Sequence, residues 1–403
     1  MQTLISVENA RLIVLDAVRV QPVETIDFDA SPGRTLAEDI VSQDDIPPFA
    51  NSAMDGFALL AEDVAGGVAS LEVIDDIPAG AVPSREVTRG TCARIMTGAP
   101  VPAGANAIAP VEWTEALPDG RVRIKRAPAP GMHVRPAGQD ARRGQRMMAS
   151  GEVVTPPGIG MLATLGYARV AVRKAPVVAV IATGDELLHP SEPLTPGRIR
   201  NSSGYALCAQ VAAAGGEPLP PLLARDTADS IRLVIQQALV ADVLVFSGGV
   251  SVGDYDLVKQ QLDEAGMELL FWKVKQRPGN PLAFGLLQGK PVFGLPGNPV
   301  SSAMCFEQYV RPALARMLGR TTLTRPRHPA ILAADTAKVP GLHFFSRGVA
   351  RYEADGRLTV RDTGSQASNL YSSVLAANCI IHLPESWAEA KAGTQVEIEW
   401  LTW

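Results

Sequence analysis

The sequence predicts a multi-domain α/β and β protein built around a parallel, doubly wound sheet. Three observations carry this. The chain has 403 residues, too long for one typical core and enough for two to four domains. Residues 176–320 alternate buried apolar runs with helical patterns, the signature of βαβ units. Residues 55–140 and those after about 325 instead carry short alternating runs punctuated by Pro and Gly, which read as separate β-rich units.

From the N-terminus, Val7, Ala10, Val14, Ala17 and Val18 recur at helical spacing after Ser6, predicting an amphipathic helix that Pro22 closes off. Brief strand-like runs such as "SLEVIDDI" and "RVRIKR" follow within the β-rich region. "PPGIGMLATLGYARVAV" then reads as a helix and a strand leading back out of it. "APVVAVIATGDEL" is a buried strand that breaks at Gly184, and "NSSGYALCAQVAAAGG" a helix capped by Asn201 or Ser202 and ended by Gly215 and Gly216. The helix "DTADSIRLVIQQAL", the strand "ADVLVF", a helix with Val258, Leu262 and Ala265 on one face, the strand "PVFGL" and the helix "VSSAMCFEQYVRPALARML" complete the alternating series. Beyond it, "RLTVRD", "CIIHL" and "TQVEIEWL" alternate as antiparallel strands do.

Composition removes several function classes. Hydrophobic residues at 46% and charged residues at 20% give a globular chain. A net charge of −5 argues against a sequence-blind nucleic-acid binder or a cationic membrane binder, though not against a local basic pocket. Charged residues interrupt the first apolar pattern and no run of 18 apolar residues occurs, so neither a signal peptide nor a membrane span is expected. The four cysteines form no CxxC pair and the five histidines no HExxH or paired ligand spacing, so a zinc site and a disulfide framework are unsupported and triad catalysis is not expected. A cytoplasmic protein with reduced cysteines is expected.

Three α/β strands end in loops rich in glycine and polar residues: "ATGDEL", "FSGGVSVGDYD" and "LPGNPVSS". At one sheet edge they would line one crevice, the place where open α/β sheets bind ligands. Glycines let the backbone approach a bulky anion, and carboxylates beside phosphate point to a divalent cation. A βα turn that needs glycine for geometry alone is the plainer alternative. None of the loops matches GxxxxGK[ST] or GxGxxG, so neither an ordinary P-loop nor a dinucleotide fold is indicated. "FWKVKQRPGNP" places Lys273, Lys275 and Arg277 on one strand face by alternation, either as a solvated charged face or as an anion clamp. Asp55, Thr97 and Asp140 sit in polar turns of the β-rich region, where loop hydrogen bonding would also account for them.

Taken in order, "NSAMDGFA", "RIMTGAPVP", "GQDARRG", "ATGDEL", "SGGVSVGDYD", "PGNPLAFG" and "LPGNPVSS" closely resemble the molybdopterin molybdenumtransferase family, MoeA-type enzymes related to the gephyrin C-terminal region. The resemblance covers nearly the whole chain. It implies insertion of molybdate into adenylylated molybdopterin with release of AMP, a Mg2+ requirement, and an elongated homodimer. It implies four parts: a linker region (1–45 with 145–175), a β-rich inserted domain (46–144), the molybdopterin-binding α/β domain (176–322) and a C-terminal β-barrel (323–403). The family's functional acids fall on Asp55, Asp140, Glu186, Asp226 and Asp256, with Thr97 beside them; Glu186 and Asp256 are the implied metal ligands. Substrate contacts fall on Gly184, Ser247, Gly248, Gly249, Ser251, Gly253, Gly297, Asn298, Pro299 and Ser301. Pro278 is a further substrate contact, and anion handling, including molybdate, falls on Lys273, Arg277, Arg347 and Ser368, although "GSQASNLYSS" offers several serines. The molybdopterin adenylyltransferase and recipient molybdoenzymes are the implied protein partners. An adenylyltransferase resembles the α/β module alone, and the added β-rich and barrel regions favour the insertion step; a non-enzymatic scaffold is the other alternative. Where the family has Lys-Pro-Gly-Lys-Pro, this chain has Arg277-Pro278-Gly279-Asn280-Pro281, which turns one cation into a planar fork and removes another, with Lys275 nearby as a candidate replacement.

Overall fold

The computed structural model describes residues 2–249 and 257–402. An eight-stranded sheet forms its centre. Strands Val177–Thr183, Val243–Ser247 and Lys290–Leu295 run parallel side by side, with Glu217–Pro218 and Leu222–Ala224 also parallel to the first. Val243–Ser247 is buried at every position, as a strand covered on both faces must be. On the far side, Ala283–Leu287 and Glu268–Val274 continue the sheet antiparallel. Helices Ser202–Ala213, Ala228–Ala238 and Leu257–Glu264 pack against it, the first capped by Asn201 Oδ1, which accepts from the Gly204 N–H at 2.9 Å. Val258 and Leu262 are buried as expected, whereas Ala265 lies past the helix end and is exposed.

Two features depart from the sequence reading. Strand Gln2–Ile5 precedes the first helix and pairs in parallel with Glu268–Val274, and helix Val7–Ala17 buries Val7, Ala10 and Val14 in the α/β core. The start of the chain, expected with the linker, thus packs on the α/β sheet. The expected single helix after Asn298 runs as Pro299–Cys305, a π-helical stretch Phe306–Val310, and Arg311–Met317. The wider turn leaves Glu307 and Gln308 fully inside, where Arg311 and Arg325 pair with Glu307 at 2.7 and 3.0 Å.

The inserted region is a six-stranded sheet in the order Ala107–Pro110, Gly56–Leu59, Thr91–Ile95, Ala69–Ile77, Arg121–Ile124, Thr114–Ala116. Short ladders, Val23–Asp27 with Arg169–Arg173 and Ile40–Val41 with Arg146–Met148, join it to the rest over a small core of Leu36, Ile40, Val154, Leu162, Val170 and Val172. After residue 326, strands His343–Tyr352, Leu358–Asp362, Arg327–Leu332, Gln395–Trp400 and Cys379–Leu383 pair in sequence. The last pairs back to the first, closing a five-stranded barrel. Gln276–Arg277 pairs with His343–Phe344, so the Pro-Gly turn of the α/β domain is fastened to that barrel. Among the described residues no helix is long and apolar enough to cross a membrane.

Candidate functional site

Strands Val177–Thr183, Val243–Ser247 and Lys290–Leu295 point the same way, so the loops that follow them meet at one sheet edge. There they enclose a crevice of about 730 Å³. Gly184, Glu186, Asp226, Ser247, Gly248, Gly249, Gly297, Asn298 and Pro299 line it, together with Thr183, Arg200 and Asn369. Ser251, Gly253 and Asp256 lie outside the described residues. Glycine is favoured where two loops touch: Gly248 and Gly249 have φ of +98° and +67°, and Gly297 packs beside Gly248.

The acidic edge of the crevice is held by backbone contacts. Asp226 Oδ2 accepts from the Asp185 N–H at 3.3 Å, and Asp185 Oδ1 from the Asp226 N–H at 3.4 Å. Arg225 donates to the Asp185 and Leu187 carbonyls at 3.0 and 3.5 Å, fixing the chain on both sides of Glu186. Sequence reasoning did not single out Arg225, because its work is done on carbonyls some 40 residues away. Glu186 and Asp226 are exposed carboxylates on one crevice wall. Such hard oxygen donors suit Mg2+, which keeps several waters and is bound through one or two carboxylates plus substrate phosphates. Among the described residues no group of three or more His, Cys, Asp or Glu side chains forms a self-sufficient metal cage.

A second cavity of about 290 Å³ adjoins the first, with Asn298 on the wall of both. Arg277, Pro278, Ser301 and Ser368 line it, brought together from three separate stretches of chain. Arg347 stands behind this cavity and is 1% exposed. Its Nε donates to Ser373 Oγ at 3.1 Å and its Nη2 to the Ala367 carbonyl at 3.2 Å, so it holds the loop that carries Ser368. Burial, with Arg277 nearby, pushes its pKa down to about 10 against the pull of Asp362, and it stays charged at neutral pH.

The three cations of "FWKVKQR" do not share one face. Lys273 has φ +67°, which breaks the alternation, and its ammonium lies 4.4 Å from the centre of the Trp272 ring. Lys275 is tied to Glu385 of the barrel at 3.1 Å, and Arg277 alone reaches the second cavity, over the Phe344 ring at 5.5 Å. Asn280 donates to the Val274 carbonyl at 2.7 Å and so closes the turn.

On the inserted sheet, Asp55 Oδ1 accepts from both the backbone N–H and the hydroxyl of Thr97 at 2.7 Å. These bonds, the hydroxyl's first, hold the Asp55 carboxyl below its usual range. Asp140 is exposed on a neighbouring loop whose backbone bonds to Ile46 at 2.9 Å. Asp55, Thr97 and Asp140 line neither cavity of their own chain.

A doubly wound domain with a ligand-sized crevice at its sheet edge, joined to a β-rich insertion and a small barrel, defines a class that comparison makes specific. Residues 5–166 match the MoeA N-terminal region (domain I and II), 179–316 the probable molybdopterin binding domain, and 329–401 the MoeA C-terminal region (domain IV). Molybdopterin molybdenumtransferase 2 of Mycobacterium tuberculosis is 37% identical over 98% of this chain and 100% of its own length. Molybdopterin molybdenumtransferase of Bacillus subtilis is 35% identical over 98% of this chain and 94% of its own. The crystal structure of the molybdopterin biosynthesis MoeA protein from Pyrococcus horikoshii superposes with a TM-score of 0.85 at 30% identity, covering 99% of this chain and 100% of that one. The chain belongs to the molybdopterin molybdenumtransferase family, MoeA-type enzymes of molybdenum cofactor biosynthesis.

Proposed function

We propose that this enzyme inserts molybdate into adenylylated molybdopterin and releases AMP. The observation that carries the proposal is the pair of adjoining cavities. A crevice of about 730 Å³ has room for a pterin and its pyrophosphate, and the smaller one, with Arg277, Ser301 and Ser368 on its walls, suits a tetrahedral oxyanion. In this reading Ser247, Gly248 and Gly249, with Ser251 and Gly253 of the same loop, bind the phosphate and pterin, and Gly184, Gly297 and Pro299 shape the loops around them. Glu186 and Asp226, with Asp256, hold Mg2+, which when bound neutralises pyrophosphate charge and favours departure of AMP. The Arg277 fork grips molybdate through paired N–H donors, and Ser368 is presented to it by Arg347. Lys273 contributes positive charge near the turn but no direct contact.

The functional unit is proposed to be a homodimer in which Asp55, Thr97 and Asp140 of one subunit face the crevice of the other. Support comes from the Asp55–Thr97 pair, an ionised and doubly anchored carboxylate that lines neither of the two adjoining cavities of its own chain. Purified protein given adenylylated molybdopterin, molybdate and Mg2+ should release AMP only when molybdate is present, and Asp256→Ala should abolish that release. Consumption of ATP with molybdopterin, or no reaction, would overturn the assignment.

A further inference from the structure

Thr183 closes the strand Val177–Thr183 and is one of the residues lining the crevice, although it is only 7% exposed. Its hydroxyl has no hydrogen-bond partner among the described residues. A buried hydroxyl is nearly always bonded, because leaving it unmade forfeits the water it gave up on folding. The surroundings explain why no described group reaches it. The backbone of the strand end is committed to its neighbours, Thr183 to Ala224 and Ala182 to Ser247. Facing the hydroxyl are Gly248 and Gly249, where a Cβ would stand 2.8 and 3.0 Å from Oγ1. Glycine at both positions keeps that space clear. The Gly248 N–H is taken by the Leu295 carbonyl at 3.1 Å, while the Gly249 N–H has no acceptor among the described residues. Among the described residues, therefore, the Thr183 O–H and the Gly249 N–H both lack a partner, and both residues line the crevice.

We propose that Thr183 is a substrate-binding residue. Its hydroxyl donates to a phosphoryl oxygen of the bound pterin nucleotide, next to the Gly249 N–H. A threonine hydroxyl suits this position because it rotates to the acceptor while its β-branched stem stays fixed by the strand. The assignment rests on the crevice being the phosphate site proposed above.

The test compares Thr183→Val, which keeps the shape and removes the hydroxyl, with Thr183→Ser, which keeps the hydroxyl. Binding of adenylylated molybdopterin is followed by pterin fluorescence without molybdate, and thermal melting is measured without ligand. The valine variant should bind about tenfold or more weakly, as loss of a hydrogen bond to a charged group entails, while the serine variant stays within about threefold of wild type. Without ligand, the valine variant should melt no lower than wild type, since an unpaired buried hydroxyl has been removed. Inorganic pyrophosphate should show the same preference for the hydroxyl-bearing forms.

Wild-type affinity in the valine variant, equal weakening in both variants, or a valine variant that melts several degrees lower while serine does not, would each overturn the proposal. Weakened pterin binding with unchanged pyrophosphate binding would overturn the phosphoryl contact. Wild-type protein that binds the substrate but releases no AMP with molybdate would instead remove the proposed reaction and leave the Thr183 comparison standing.

Discussion

Gly279→Ala is expected to damage both stability and anion affinity, and the structure gives the size. Gly279 has φ +85°, a region that costs an L-residue about 1–2 kcal/mol. The added methyl would lie under 3.0 Å from Cys305 Sγ and 3.0 Å from Gln276 Nε2, both buried. Overpacking of that kind costs about 1–3 kcal/mol more. The total of roughly 2–5 kcal/mol should lower the melting temperature of the α/β unit by about 5–15 °C. Because Arg277 sits two residues away on a strand fastened to the barrel, relaxing the clash moves the guanidinium, and the molybdate concentration for half-maximal insertion should rise. Cys305→Ala removes the atom in the way. The double variant Gly279→Ala/Cys305→Ala should therefore be more stable than the sum of the single effects predicts, by about 1 kcal/mol or more, and should recover part of the molybdate affinity. Thermal melts of wild type and the three variants, with a molybdate titration of each, measure both quantities. Strict additivity would show that the Cys305 contact does not limit this turn and would refute the steric argument.

Arg277→Lys should raise the molybdate concentration for half-maximal insertion, and Arg277→Ala should raise it about tenfold or more, with the pterin substrate's KM changing less; superimposable titrations would remove Arg277 from the oxyanion site. Mixing inactive Asp55→Ala with inactive Glu186→Ala protein should restore part of the activity through heterodimers with one intact composite site, and no recovery after verified subunit exchange would count against sharing between subunits. His343, buried and 3.2 Å from His382, has its pKa pushed down to about 3 chiefly by burial, with His382, Arg327, Arg11 and Lys338 acting in the same direction. In the unfolded chain it takes a proton near 6.5, so below that pH the unfolded state binds more protons and barrel stability falls progressively towards pH 3. His343→Phe should flatten the part of the acid limb between pH 6.5 and 4.5 in a melting series, and an unchanged slope would exclude His343 as its source.

The local pattern by itself determined the alternating α/β series, the strand-to-glycine breaks and the residues of the three loops. Apolar runs, caps and glycines act over a few residues and are written in consecutive positions: Asn201 caps its own helix, and Gly248 and Gly249 carry the positive φ that their loop needs. Seven loop motifs in order also sufficed to place the chain in its family. Tertiary structure alone decided which of these pieces meet. Strand Gln2–Ile5 is short and largely exposed, and its paired residues lie 269 positions on, so no periodicity marks it. Lys273 turned away from Arg277 because one left-handed residue cancels the alternation. Asp55 found Thr97 across 42 residues, and Arg277 found Ser368 only because the barrel closes against the Pro-Gly turn. The Thr183 hydroxyl, without a partner among the described residues, belongs to the same kind, since an unpaired donor is defined by what its distant neighbours fail to reach. Long-range contacts of this sort are set by packing whole elements against one another, and packing is a property of the assembled surfaces rather than of any one stretch of sequence.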